Sequence, residues 1–199
     1  MEFLTTLWLP IVLSAVICFV ASSIIWMATP LHKHDYKNPG DKEDAILSGL
    51  KSWALSPGVY FVPWMQCDKK LDEAAKKAAM ERAKTSPRAM IIVHGGDHSM
   101  GKMLGMWFVH LLITGVFVAY VASHAGLGAA SYLKVFQVVG AVAFLAHAGY
   151  ALPLSIWHGL PWSQLPGRLL DGLIYALLTA GTFAWQMQFK APEIKIPGL

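Results

Sequence analysis

Four long stretches of the chain contain no Asp, Glu, Lys or Arg: residues 3–32, 103–133, 135–167 and 172–189. Each can hold the roughly 20 apolar residues that cross a bilayer as a helix. Within them the apolar pattern predicts membrane helices at about 4–27, 103–122, 132–152 and 169–186. Trp8 and Trp26 fall near the two ends of the first, where interfacial tryptophans belong, and Trp107 and Trp185 fall near the ends of two others. Pro10 lies in the opening turns, where a missing backbone donor does least harm. The link 123–131 is short and rich in Gly and Ala, so the second and third helices form a hairpin. Residues 153–168 carry Trp157, Trp162 and prolines at 153, 161 and 166, and are expected to lie along the interface.

Polar residues concentrate between the first two spans. Asn38-Pro39-Gly40 signals a turn, and Asp41 is placed to cap a helix with Ile46, Leu47, Leu50 and Trp53 on one face. Ser56-Pro57-Gly58 ends it, and Val59–Val62 reads as a short strand. Asp68 can cap an alanine-dense helix through about Lys84, supported by Asp72–Lys76 and Glu73–Lys77 at i,i+4. Ala89–Val93 reads as a second strand, closed by Gly95-Gly96. The expected core of this α-β-α-β unit is Ile46, Leu47, Leu50, Trp53, Tyr60, Val62, Ile91 and Val93. The fold class is therefore a membrane all-α protein, with four transmembrane helices and a small α/β cytoplasmic insertion between helices one and two. The expected division is helix one over 1–27, the polar unit over 28–102, the hairpin over 103–152, the interfacial segment over 153–168, and helix four with its tail over 169–199.

Composition agrees with a membrane protein. Hydrophobic residues make up 55% and charged residues 14%, against about a quarter charged in soluble domains. The net charge of +4 is modest and its basic residues are interleaved with acids, which argues against a nucleic-acid partner. The first segment lacks a basic start, its apolar run is long, and no small-x-small site follows, so a permanent anchor is expected and not a cleaved signal. Cys18 lies mid-membrane and Cys67 in the polar unit, a poor disulfide pair. Lys33, Lys37, Lys42, Arg88, Lys102 and Arg168 flank the spans on one side; Lys134, Lys190 and Lys195 lie on the other. That excess predicts a cytoplasmic polar unit and two periplasmic termini.

Several groups carry possible chemistry. His32, His34 and Asp35 follow helix one, and His94, Asp97 and His98 precede helix two, at the same membrane face. Together they offer ligands for zinc or another transition metal, or simply meet headgroups and water. His110 and His147 lie roughly 10 Å and 7 Å from that same face, at 1.5 Å per helical residue. Such a pair can ligate haem b or can serve interhelical packing, for example through a His110–Thr114 hydrogen bond. Gly96 to Lys102 matches the G-x-x-x-x-G-K part of a P-loop, but Met103 stands where Mg²⁺ needs Ser or Thr. A glycine turn with an anchoring lysine is the plainer reading. Gly101-x-x-x-Gly105 permits close helix approach, and Arg168 and Asp171 at i,i+3 read as an interfacial anchor.

The stretches LHKHDYKNP (31–39), PGVYFVPW (57–64), MGKMLGMWF (100–108), SIWHGLPW (155–162) and DGLIYALLTAGTFAW (171–185) are spread over nearly the whole chain. Through them the chain resembles a group of small bacterial inner-membrane proteins with four transmembrane helices. The resemblance implies a bacterial cytoplasmic membrane and this architecture, and assigns no chemistry. Three function classes remain. One is a non-enzymatic accessory, assembly or scaffold subunit, with the bilayer and other membrane subunits or itself as partners and no cofactor. The others are a haem- or metal-binding electron-transfer protein and a small transporter or channel component. The first is favoured because no span carries a mid-bilayer charge, broken helix or complete catalytic motif.

Overall fold

A computed structural model describes residues 2–64, 72–96 and 99–189 of the chain. The residues divide into two compact units: 1–36 with 98–199, and 37–97. The helical unit is thus slightly larger than the apolar pattern alone implies, since it takes in residues 28–36 on one side and 98–102 on the other.

The helical unit is a four-helix bundle. Its long helices are α1 (Glu2–Ala28), α4 (Met100–His124), α5 (Tyr132–Ala148) and α7 (Leu165–Phe189), and a short α6 (Ala151–Trp157) follows α5. Helix α1 packs on α4 and α7, and α5 packs on α7 and α4, closing a ring. Three stretches are long and apolar enough to cross a membrane: α1, α4, and α5 with α6 over Tyr132–Trp157. The architecture is mostly α-helical and fits a multi-pass membrane protein. Helix α7 is not among the three. Its buried face mixes apolar residues with polar ones, Asp171, Thr179 and Thr182 beside Tyr175, Ala176, Ala180, Phe183 and Ala184.

Small residues let these helices approach. Ala143 on α5 and Ala180 on α7 are fully buried. A Cβ added at Gly172 on α7 would stand 2.6 Å from the Ala148 Cβ on α5. One at Gly115 on α4 would stand 3.2 Å from the Ile11 side chain on α1. The expected close approach at Gly101 and Gly105 is corrected: a Cβ at either meets nothing within 4 Å. A small-x-x-x-small spacing permits contact only where another helix faces it.

Local chemistry explains the helix ends. Ser99 caps α4 by accepting from the Lys102 N–H, and Ser131 caps α5 by accepting from the Lys134 N–H. Within α1 the backbone leaves helical geometry at Leu7, φ −111° and ψ 18°, where the ring of Pro10 disturbs the preceding turn. The expected interfacial segment 153–168 is largely helical: α6 covers its start, and after a 3₁₀ turn at Trp162–Gln164 α7 begins at Leu165.

The second unit contains α2 (Glu43–Trp53), β1 (Gly58–Val62), α3 (Glu73–Thr85) and β2 (Ala89–Val93), in the expected α-β-α-β order. The strands pair antiparallel, with Tyr60 opposite Ile91 and Gly58 opposite Val93. The capping expectations need correction. The residue before α2 is Lys42, which makes no side-chain cap, because Asp41 sits inside a 3₁₀ turn. Asp72 caps α3 by accepting from the Ala75 N–H at 2.6 Å, so it is not paired with Lys76. Lys76 instead pairs with Glu73 at 2.7 Å, one residue closer than the i,i+4 expectation. Asp68, the expected cap, lies outside the described residues.

The expected core of this unit is not formed. Ile46, Leu47, Leu50, Trp53 and Val62 are exposed, and Tyr60, Ile91 and Val93 are half-buried. Among its described residues only Ala83 is buried. A two-stranded sheet and two short helices have too little apolar surface to bury one another.

Candidate functional site

One core cluster of the bundle includes Leu7, Val118, Val135 and Phe183. Other residues of the same helices line a chamber of about 700 Å³. All four long helices and α6 line it. Its rings are Trp26 of α1, Trp107 and His110 of α4, His147 of α5 and Tyr175 of α7, with Tyr150 at the start of α6. The Trp107 indole N–H donates to Ser22 Oγ at 3.0 Å, fixing the ring between α1 and α4.

His110 and His147 meet in this chamber. Their ring centroids are 6.4 Å apart, at an interplanar angle of 77°. His110 stacks on Trp107 at 5.3 Å, and His147 makes a T-shaped contact with Tyr175 at 5.5 Å. No hydrogen bond joins His110 to Thr114, and His147 Nδ1 is buried without a hydrogen-bond partner. The two histidines therefore meet their neighbours by ring contact. Their depth was readable from residue spacing; that they face each other depends on how α4 and α5 are rotated.

A second constellation shares Trp26 and Asp171 with the lining of the chamber. His32 follows α1 in the turn at residues 31–35 and is only 7% exposed. Its Nδ1 lies 2.8 Å from Asp35 Oδ2, and its Nε2 lies 2.9 Å from Asp171 Oδ2 on α7. The second contact is an ion pair with the N–H off the line to the oxygen. The ring lies flat on Trp26, centroids 3.9 Å apart and planes 5° apart. A neutral imidazole donates from one nitrogen only, so carboxylates at both nitrogens favour the imidazolium. Burial pushes the His32 pKa down, but the hydrogen bonds and charges of Asp35 and Asp171 outweigh it and hold it above the ordinary histidine value. Gln164 donates to the Asp35 carbonyl and accepts from Arg168 Nη2 at 3.0 Å, tying the same turn to the start of α7.

This arrangement alters two sequence readings. Arg168 and Asp171 do not pair with each other; Arg168 binds Gln164 and Asp171 binds His32. Of the proposed metal ligands, His32 and Asp35 are engaged with one another, and His34 is exposed. His94 belongs to the second unit, and Asp97 and His98 lie outside the described residues. Asp35 and Asp171 approach opposite edges of one imidazole, so they do not converge on a shared point. Among the described residues no three His, Cys, Asp or Glu side chains are grouped to hold a metal ion. The P-loop-like stretch shows a left-handed turn at Gly96, φ 84°, and the Ser99 cap of α4.

The Asp171–His32 pair is what sequence reasoning missed. The partners lie at opposite ends of the chain, and no local period connects them. The available signal was chemical: each is an ionisable residue at the end of an apolar stretch, where an unpaired charge is costly. No protein-family model, curated protein or solved structure matches the chain.

Proposed function

We propose that the chain is a non-enzymatic multi-pass membrane protein that serves as an accessory or scaffold subunit of a larger membrane complex. One observation carries this reading: the unit at residues 37–97 keeps its apolar side chains on the outside. The face of α2 formed by Ile46, Leu47, Leu50 and Trp53 is exposed, as are Val59, Phe61 and Val62 of β1. Apolar surface of this extent on a unit with almost no interior marks an interaction site, and a protein subunit would supply the missing core. In this reading α7 is a fourth span, the membrane is the bacterial inner membrane, the second unit is cytoplasmic and both termini are periplasmic.

The test is a photoreactive amino acid placed at Trp53 or Phe61 and activated in native membranes. The expected result is one discrete protein adduct from both positions. Adducts with lipid alone, or a purified monomer whose α2 amides are fully protected from hydrogen exchange, would sink the reading.

A haem-binding reading has its own observation in its favour: His110 and His147 face each other on the wall of a chamber large enough for a cofactor. Absorbance of the purified protein between roughly 400 and 570 nm separates the two readings. A Soret band lost on His110→Gln or His147→Gln would establish haem, and a featureless spectrum of protein purified from haem-replete cells would exclude it.

A further inference from the structure

We propose that the chamber in the helical unit is a binding site for a lipid-soluble ring compound bearing hydrogen-bonding oxygens, the chemistry of a quinone or quinol.

The size and lining come first. A chamber of about 700 Å³ falls within the range of small-molecule sites, and bundles hold such sites between their helices. Its walls are flat rings more than branched aliphatic chains. Trp107 and His110 are stacked 23° from parallel, and Tyr175 stands near both Trp107 and His147. Aromatic walls gain most from a planar guest, whose faces and edges match their quadrupoles. An acyl chain would fill the volume but leave those faces poorly matched.

Polar groups come next. Three lining residues carry a buried polar atom without a hydrogen-bond partner in the protein: His147 Nδ1, Arg168 Nε and Asp171 Oδ1. Buried polar groups are normally paired, so three on one chamber call for a partner. Arg168 Nε–H is a donor and Asp171 Oδ1 an acceptor, while His147 Nδ1 can be either, depending on its tautomer. Carbonyl oxygens satisfy donors, and a hydroxyl satisfies both kinds, which is what a quinone and its quinol offer. A hydrocarbon chain satisfies none of the three.

Access comes last. The chamber's wall includes exposed residues on two elements, Leu104 of α4 at 41% and Tyr150 before α6 at 62%. His110 is exposed as well and stands about 10 Å along α4 from Met103, where the charge-free stretch begins. In a helix that spans the bilayer that depth lies within the hydrocarbon, so a guest can arrive sideways from the lipid. The inference concerns binding only and moves no electron.

The experiment uses the full chain, purified and reconstituted in lipid nanodiscs free of quinone. Thermal unfolding is followed with decyl-benzoquinone, its quinol, and decanol as a tail without a ring. At a free quinone concentration 100-fold above its dissociation constant, the midpoint should rise by roughly 5–10 °C. Decanol at the same concentration should leave it unchanged. His147→Phe keeps the ring and removes its nitrogens, and should weaken quinone binding about tenfold. Leu104→Trp, at an exposed position on the wall, narrows the access without touching the core, and should abolish the quinone shift while the unliganded midpoint stays as in the wild type. It carries the test if His147→Phe does not fold. Equal shifts with decanol would overturn the inference by showing a chamber that takes any lipid chain. No saturable shift with quinone or quinol, or a Soret band in the purified protein, would overturn it too.

Discussion

His32 fastens the turn after α1 to α7 by charge, so this joint responds to pH. Asp35 faces the ring from its own turn and Asp171 from α7, while the nearby cation Arg168 is held by Gln164. The folded-state pKa of His32 lies above the unfolded value of about 6.5. Its contribution to stability is therefore complete below about pH 6.5 and is lost as pH rises through the folded value. Thermal midpoints of the wild type and His32→Gln, measured from about pH 6 to about pH 9, should converge toward the alkaline end. A gap between the two curves that stays constant across that range would show that His32 acts by shape and not by charge. His110 and His147 behave differently, because they meet by ring contact and not through a hydrogen bond. His110→Gln and His147→Gln in the unliganded protein should each cost only about 1 kcal/mol, as read from the thermal midpoint. A loss several times larger would mean that the pair holds α4 and α5 together.

Among the elements, α5 and α7 form the tightest joint, and glycine makes it possible. A methyl group at Gly172 would meet the Ala148 Cβ and also its backbone, which cannot move aside cheaply. Gly172→Ala should therefore destabilise the bundle by about 1–3 kcal/mol, whereas Gly101→Ala and Gly105→Ala should be nearly neutral. Thermal unfolding of the three variants in one detergent checks the order, and a costly Gly105→Ala would contradict the open space seen around it. The elements of residues 37–97 make the opposite case. With Ala83 as the one buried residue among those described, residues 37–97 expressed alone should show no cooperative unfolding transition. A sharp two-state melt by circular dichroism would refute that.

The elements themselves were largely legible in the sequence. Charge-free runs give α1, α4 and α5 directly, and Ala89–Val93 is a strand with the limits its β-branched and apolar run suggests. What could not be read depends on rotation and distance. The four-residue spacing of Gly101 and Gly105 is the same whether or not a helix lies opposite. Ile46, Leu47, Leu50 and Trp53 form an apolar face whether or not anything in the chain covers it. The depth of His110 and His147 follows from counting residues, but the chamber they line and the His32–Asp171 pair arise only when helices distant in sequence pack together.

For the molecule as a whole, orientation is the first quantity to measure. Six basic residues near span ends on one side against three on the other lead us to expect both termini in the periplasm. Reporter fusions at Leu199 and within residues 65–85 test this, and cytoplasmic activity of the Leu199 fusion would reverse the assignment. Cys18 supplies a different measurement. The residue is 1% exposed, and its thiol lies 3.5 Å from both the Thr179 hydroxyl and the Tyr175 carbonyl. No alkylating reagent can reach the sulfur while α1 and α7 stay together, so every labelling event records a parting of the bundle. With Cys67 replaced by Ser, the chain becomes its own clock. In the limit where labelling is slow compared with reclosing, the rate of maleimide uptake gives the population of the open form. Any occupant or partner that steadies the helices should lengthen the interval between ticks in proportion to how firmly it binds.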